Sequence, residues 1–247
     1  MLLVVLATGC IKEDLDSCDT NLIFRYFGDG TKDIFPEKIE KVDLYVYSEN
    51  GALIETIGLN QGDLRRYQGT PLNLPTGKYR VVCWGNTKND TRIDQPMALN
   101  TALVAAPHYF TREIITTNDS LYIGSRDIEI FQDASNADTV YFSSSHIKMY
   151  LELDGLEDAA WTDGTSPIEI EVGNLSPTVD FAKTFSSENV SYRPIAKKEE
   201  DTPVYKSRFN VLRFNDNNSI YINLVSKKTS KTIYTLNLKD FMKYNQI

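Results

Sequence analysis

Short runs in which apolar and polar residues alternate with a period of two dominate the chain from residue 20 onwards. Residues 42–47 read Val-Asp-Leu-Tyr-Val-Tyr, and residues 147–153 read Ile-Lys-Met-Tyr-Leu-Glu-Leu. Because successive side chains of a β-strand point to opposite faces, this period predicts strands with one face turned to a core. Further strands are predicted at residues 21–27, 52–57, 78–84, 120–124, 126–131, 167–172, 205–214, 220–225 and 232–238.

Turn residues separate these runs and set the predicted architecture. Asn50-Gly51 predicts a β-hairpin whose two turn residues both adopt positive φ, and only residues 97–106 are compatible with a short helix. The small, polar and acidic residues of segment 133–138 are typical of a linker or a wide loop. Many short strands with frequent turns are typical of β-sandwiches. We therefore predict an all-β fold of two tandem β-sandwich domains, over residues 20–135 and 136–247.

Composition narrows the class of partner. Of the 247 residues, 41% are hydrophobic and 24% are charged, which is typical of a packed globular protein and not of a disordered chain. The formal net charge is −8 at pH 7. This acidic balance opposes binding to a phosphate backbone, so no nucleic-acid partner is expected.

The first ten residues, Met-Leu-Leu-Val-Val-Leu-Ala-Thr-Gly-Cys, are uncharged and too few to span a membrane, which takes about 20 residues. The small residues directly before Cys10 resemble a bacterial lipobox, and a buried first strand is the alternative. We predict that residues 1–9 are a lipoprotein signal peptide and that Cys10 is lipidated, with palmitate among its acyl chains. Residues 10–19 then form a polar tether. The basic n-region of a signal peptide is missing, which leaves open a start upstream of Met1.

The assignment of Cys10 as the lipidation site leaves two cysteines that could pair with each other. Lipidation of Cys10 leaves Cys18 and Cys83 as an even pair in an oxidising compartment. A disulfide between them would tie the tether to the first domain. Two free thiols are the alternative.

The search for catalytic chemistry is mostly negative. His108 and His146 have no Cys, His or carboxylate at the spacing of metal ligands, and neither a phosphate-binding glycine loop nor a nucleophile elbow occurs. We therefore predict no enzyme activity, metal or cofactor. The oxygen-rich runs 86–90 and 215–218 could hold Ca²⁺ but more often serve as turns. Tyrosines on the predicted strands could form a sugar-stacking surface, although sandwich packing is the plainer interpretation; they are Tyr45, Tyr47, Tyr141, Tyr150, Tyr221 and Tyr234.

Several motifs occur in the order of a known family. After the lipobox come Lys-Glu-Asp-Leu-Asp-x-Cys (12–18) and Val-Asp-Leu-Tyr-Val-Tyr-Ser-Glu-Asn-Gly (42–51). They are followed by Leu-Pro-Thr-Gly-Lys-Tyr-Arg-Val-Val-Cys-Trp-Gly-Asn (74–86), Leu-Tyr-Ile-Gly-Ser (121–125) and Ile-Lys-Met-Tyr-Leu-Glu-Leu-Asp-Gly-Leu (147–156). In this order, from Cys10 to about residue 225, the chain resembles the FimB-type, fimbrillin-A-associated anchor family of type V fimbriae.

The resemblance implies tandem transthyretin-like β-sandwiches on a lipid anchor in the outer membrane, exposed at the cell surface. It implies an accessory subunit that anchors or terminates the fimbrial shaft by β-strand complementation, with fimbrillin or other accessory subunits as partners. Family members are often longer, which leaves a truncated C-terminus open. The alternative function is that of a surface lipoprotein that binds glycan for a nutrient-uptake system.

Two short patterns add candidate modification sites. Asp119-Ser120-Leu121 and Asp138-Thr139-Val140 resemble the O-glycosylation sequon of bacteria that carry such fimbriae. Ser120 and Thr139 are the predicted acceptors, although three-residue patterns also arise by chance.

Overall fold

The computed structural model describes residues 18–131, 136–156, 164–200, 202–215 and 217–246, with the side chains of residues 18–20 and 136 left undescribed. Strands dominate these residues, which confirms the predicted all-β class. The strands are β1 Cys18–Arg25, β2 Val42–Ser48, β3 Leu53–Leu59, β4 Gly69–Leu74, β5 Gly77–Gly85, β6 Arg92–Asp94, β7 Leu103–Ala105, β8 Tyr122–Ile130, β9 Asn136–Ser144, β10 His146–Leu153, β11 Ile168–Leu175, β12 Thr178–Asp180, β13 Val190–Tyr192, β14 Lys197–Lys198, β15 Tyr205–Leu212, β16 Tyr221–Ser226 and β17 Thr232–Asn237. The helices are α1 Phe35–Lys38, α2 Gln61–Arg66, α3 Pro107–Thr111 and α4 Leu238–Asn245.

A seven-stranded sheet with the order β3-β2-β5-β8-β9-β1-β4 forms the first half of the molecule. Its neighbouring strands are antiparallel except for β1 and β9, which run parallel. Leu22 and Phe24 of β1 share one buried cluster with Leu44 and Val46 of β2, although β5, β8 and β9 lie between these strands in the sheet. The sheet therefore curves back on itself, and its two ends face each other across this first core.

The opposite face of β2, β5 and β8 is covered by a small sheet with the order β12-β7-β6. We call the cluster between these layers the joint core. Trp84 of β5 lies there against Phe181, which follows β12, with ring centroids 5.8 Å apart. Because β12 comes from the second half of the chain and pairs with β7 from the first, backbone hydrogen bonds link the two halves. The joint core consists of Tyr45, Tyr47, Val82, Trp84, Ala102, Val104, Leu121, Ile123, Val179, Phe181 and Leu212.

Two further sheets enclose a second core. Their strand orders are β10-β15-β14 and β13-β11-β16-β17. Val172 of β11, Val211 of β15 and Ile222 of β16 are among its buried residues. Ala106 and Ile115, which lie between β7 and β8 in the chain, also belong to this core. The connection between β7 and β8 is thus packed into the second half.

The strand pairing also locates the change from one sheet to the next. β9 pairs with β1 and β8 of the seven-stranded sheet, and β10 pairs with β15 of the second half. The change therefore falls between Ser144 and His146, whereas the predicted boundary at residues 135/136 precedes β9. The division into two transthyretin-like domains stays a prediction.

Three local predictions meet different outcomes. The hairpin β2–β3 is confirmed, but only Gly51 has positive φ, and the pairing shifts register between Val46 and Tyr47. The turn is thus a bulged one, in which a single left-handed glycine suffices. The expectation of a short helix at residues 97–106 is wrong, because this stretch contains β7. Helix α3 starts only at Pro107, whose fixed φ suits a first helical turn.

The two strands predicted at residues 120–124 and 126–131 are one strand, β8. Gly124 lies inside it, and a Cβ atom there would stand 2.6 Å from Val140 Cγ1 of β9. This glycine therefore permits close packing between neighbouring strands and does not interrupt the strand.

Candidate functional site

The predicted lipidation site, Cys10, lies outside the described residues. Cys18 opens β1, where it is in register with Leu74 of β4, and its side chain is not described. Among the described residues no helix is both long and apolar enough to cross a membrane. The lipid anchor stays a prediction.

Cys83 lies in the middle of β5 and is completely buried in the first core. It is a free thiol in the structure, and burial raises its pKa, so it stays protonated. An inert, buried thiol of this kind behaves as a small apolar residue. Because the side chain of Cys18 is not described, the choice between a Cys18–Cys83 disulfide and two free thiols is still open.

The two predicted glycosylation acceptors are partly buried. The Ser120 hydroxyl accepts a hydrogen bond from Asn210 Nδ2 at 3.3 Å, and Thr139 is in register with Ile23 of β1. The aspartate before each acceptor already has a partner. Asp119 accepts a hydrogen bond from the Lys88 backbone N–H at 2.7 Å, and Asp138 forms an ion pair with Arg126 at 3.1 Å. The geometry holds both patterns within folded strands or strand ends, and both sites stay predictions.

The strand tyrosines do not share one surface. Tyr45 and Tyr47 are buried in the joint core, where burial raises the pKa of Tyr45 to about 12 with a smaller contribution from Asp43. The ring of Tyr221 covers Gly173 on the neighbouring strand, where an added Cβ would lie 2.1 Å from it. The other three are exposed on three different strands: Tyr141 on β9, Tyr150 on β10 and Tyr234 on β17.

Each of the two histidines has a ring nitrogen within hydrogen-bond distance of a backbone carbonyl oxygen. Nδ1 of His146 lies 2.8 Å from the Leu121 carbonyl oxygen, and Nδ1 of His108 lies 2.8 Å from that of Ile114. Burial lowers the pKa of His146. In the described part of the chain, no group of three or more His, Cys, Asp or Glu is placed to hold a metal ion.

One oxygen-rich run acts as a turn. Asn86 has φ of 62°, and its side chain accepts from the Glu40 backbone N–H at 2.9 Å and donates to the Lys38 carbonyl at 2.8 Å. The left-handed conformation is one that asparagine tolerates well. The Asn86 amide therefore serves to hold α1 against the end of β5.

Strand edges are the remaining candidate sites, and three of them, at β4, β3 and β10, are protected. β4 carries Pro71, which has no N–H to offer to another strand. The start of β3 is covered, because Ala52 bridges to Ala98 and the Leu53 N–H donates to the Met97 carbonyl at 3.0 Å. The outward residues of β10 include Lys148 and Glu152, whose charges disfavour pairing with a further strand.

The edge at β17 differs from these. β17 is the outer strand of its sheet, and Ile233 and Tyr234 are 57% and 56% exposed. α4 follows directly; Asn237 caps it by accepting from the Asp240 N–H at 3.1 Å, and Leu238 anchors it in the second core. α4 leaves two further aromatic side chains, Phe241 and Tyr244, exposed. We call β17 and α4 together the β17–α4 edge, an open strand beside apolar side chains of the kind that partners cover.

These features define a layered all-β protein with an open strand edge at β17. The chain belongs to the family of fimbrillin-A associated anchor proteins Mfa1 and Mfa2, whose model matches residues 15–247. The resemblance inferred from the order of the sequence motifs is thereby confirmed. No curated protein matches the chain.

Solved structures share the fold at low sequence identity. The fimbrial anchor protein Mfa2 from Porphyromonas gingivalis is 13% identical with a TM-score of 0.68, over 93% of this chain and 86% of that one. A candidate adhesin from Bacteroides ovatus is 18% identical with a TM-score of 0.73, over 96% and 80%. A candidate polysaccharide-binding protein from Bacteroides thetaiotaomicron is 14% identical with a TM-score of 0.73, over 91% and 82%.

Proposed function

We propose that this protein is a lipid-anchored fimbrial accessory subunit without enzyme activity. It holds or terminates a type V fimbrial shaft at the outer membrane, where it is exposed at the cell surface. The observation that carries the proposal is the family match over residues 15–247, which covers all of the described structure. Lipidation of Cys10 supplies the anchor, and fimbrillin or another accessory subunit is the partner.

We further propose that the β17–α4 edge receives a strand of the partner subunit. Main-chain hydrogen bonds to an open strand supply affinity, and the neighbouring side chains supply specificity. The exposed Ile233, Tyr234 and Tyr244 support this choice, because a docked strand and its flanking residues would cover them.

The anchor is tested by Cys10→Ala in the native organism. Loss of the acylated thiol should release the protein from the membrane fraction, since a folded body without the acyl chains has little apolar area to bury in lipid. Cys18→Ala is the matched control and should stay with the membrane. Continued detergent-dependent fractionation of Cys10→Ala would contradict the anchor.

The edge is tested by pull-down of fimbrillin from the native envelope. Ile233→Lys should reduce the fimbrillin recovered, because a charge next to the open strand disfavours pairing. Ile54→Lys is the matched control: Ile54 is 52% exposed and also lies on an outer strand, β3. Equal recovery with both variants would exclude β17 as the pairing edge, and the absence of fimbrillin with the unaltered protein would contradict the fimbrial role itself.

The alternative function, glycan binding, has weaker support at the strand tyrosines on which the sequence analysis based it. A sugar-stacking surface requires aromatic rings that are accessible together, and Tyr45 and Tyr47 are buried. The tyrosines on the strands therefore do not favour this function.

A further inference from the structure

A polar cavity of about 380 Å³ lies where the two halves of the chain meet. The turn after β1 contributes Tyr26 and Asp29, and the end of β9 contributes Phe142 and Ser143. Lys183 and Phe185 enter from the segment after β12, and Arg213 enters directly after β15. The volume falls in the range of small-molecule sites, about 300–1,000 Å³.

Two cations line this cavity without an acidic partner in contact. Among the described residues, no carboxylate lies within 4.0 Å of the Lys183 ammonium or the Arg213 guanidinium. Asp29 also lines the cavity and stays beyond that distance from both. Partial burial lowers the pKa of Lys183, as expected for an ammonium that has lost water and gained no anion. The cavity therefore carries a surplus of positive charge that a bound anion would balance.

The fold holds both cations in place. The Asp180 side chain accepts hydrogen bonds from the backbone N–H groups of Ala182 and Thr184, at 2.9 and 2.7 Å. This turn places Lys183 at φ of 68°, and its ammonium donates to Ser143 Oγ at 3.1 Å. The backbone N–H of Arg213 donates to the Ser145 carbonyl at 3.0 Å. The backbone at both positions is therefore held by contacts other than those of the Lys183 ammonium and the Arg213 guanidinium.

The rest of the lining is neither purely apolar nor purely cationic. Phe185, which is 36% exposed, and Tyr26 each bring an aromatic ring to the lining. The Ser143 hydroxyl donates to the Ile123 carbonyl at 3.4 Å and keeps one lone pair free to accept, and the Asp29 carboxylate accepts hydrogen bonds only. Acceptors beside cations suit a ligand that has hydroxyl donors as well as a negative charge, and the aromatic rings suit an apolar face on the same ligand.

We propose that this cavity binds a sugar that carries a carboxylate, of the hexuronic acid class. Lys183 and Arg213 receive the carboxylate through charge-assisted hydrogen bonds, which are stronger than neutral ones. Asp29 and Ser143 receive the hydroxyl groups, and Phe185 packs against the C–H face of the ring. The site lies apart from the β17–α4 edge and does not depend on the fimbrial role.

The test is calorimetric titration of the purified full chain with glucuronate and galacturonate. Glucose and galactose are the neutral matched ligands, acetate and inorganic phosphate serve as competitors, and a short acidic peptide is titrated in the same way. We expect saturable binding of at least one uronate and at least tenfold weaker binding of its neutral counterpart. Lys183→Gln and Arg213→Gln should each weaken uronate binding at least tenfold, because each removes a charge-assisted hydrogen bond.

Lys231→Gln is the charge-matched control, since Lys231 is an exposed cation in the turn between β16 and β17. It should bind the uronate as the unaltered chain does. Circular dichroism checks that each variant folds. If Arg213→Gln does not fold, the binding result for Lys183→Gln alone tests the proposal, because the Asp180 side chain holds the turn at Lys183 without the ammonium.

Four results would overturn the proposal. They are neutral sugars that bind as tightly as uronates, acetate or phosphate that displaces the uronate at equal concentration, an acidic peptide that binds more tightly than either uronate, and no saturable binding of a uronate in the millimolar range. The second would indicate a general anion site, and the third would indicate a protein partner.

Discussion

Strands β5 and β17 have similar apolar content and opposite environments. Val81, Val82, Cys83 and Trp84 of β5 are all completely buried, whereas in β17 the adjacent residues Ile233 and Tyr234 are more than half exposed. β5 lies between β2 and β8, and its two faces contribute to the first core and to the joint core. Among the described strands, β17 pairs with β16 alone. The comparison teaches that the position of a strand among the layers, more than its own residues, decides whether it stabilises the fold or is open to a partner.

The largest effect is expected at Trp84. Trp84→Ala should lower the free energy of unfolding by about 3–5 kcal/mol, because it empties a fully buried site between two layers. The measurement is urea denaturation followed by circular dichroism. Trp84→Phe should cost less, since a ring remains and the Trp84 Nε1 has no hydrogen-bond partner among the described residues. A loss below about 1 kcal/mol for Trp84→Ala would show that the joint core contributes little.

A smaller effect is expected on the other face of β5. Cys83→Ser should lower the free energy of unfolding by about 1–3 kcal/mol, because it buries a hydroxyl among apolar groups of the first core. Cys18→Ser in the same assay distinguishes the two cysteine alternatives. If the Cys18–Cys83 disulfide forms, Cys18→Ser should lower the free energy of unfolding by about 2–5 kcal/mol, the range typical of a lost disulfide. A negligible effect of Cys18→Ser would indicate two free thiols.

A pH-dependent effect is expected at His146, the buried first residue of the outer strand β10. Burial lowers its pKa from the ordinary value of 6.5, the charges of Lys148 and Arg213 lower it further, and the Leu121 carbonyl opposes the shift. The unfolded chain therefore takes up a proton first as the pH falls. The stability that this histidine contributes is present above about pH 6.5 and is lost as the pH falls through its folded pKa.

Urea denaturation at about pH 7.5 and pH 5 measures this loss. His146→Asn should make the stability less dependent on pH over that interval. The effect of His146→Asn is compared with that of the same substitution at the exposed His108. A pH dependence that survives His146→Asn unchanged would show that other groups cause it.

The smallest effect on stability is expected at the β17–α4 edge. Ile233→Lys should change the free energy of unfolding by no more than about 0.5 kcal/mol, because the side chain is already largely in solvent. The same denaturation assay checks this. A loss as large as that of Trp84→Ala would show that β17 is covered in the isolated protein, and the contrast between the two strands would fail.

Local features of this fold were predictable from the sequence. The alternation at residues 42–47 and 147–153 predicts β2 and β10, because the period of two is a property of each strand alone. Asn50-Gly51 likewise predicts the β2–β3 hairpin, although the bulge depends on its pairing. The family was also recognisable, since it rests on the order of motifs along the chain.

Tertiary structure alone decided what lies on each side of those strands. Val82 and Trp84 lie on the same face of β5 as the charged Lys78 and Arg80, and only the pairing of β12 with β7 creates the layer that buries them. The cavity with Lys183 and Arg213 is lined by segments that are far apart in sequence, so no local sequence pattern predicts it. Side-chain alternation is set by the backbone of one strand, whereas burial, edges and cavities depend on which distant segments pack together.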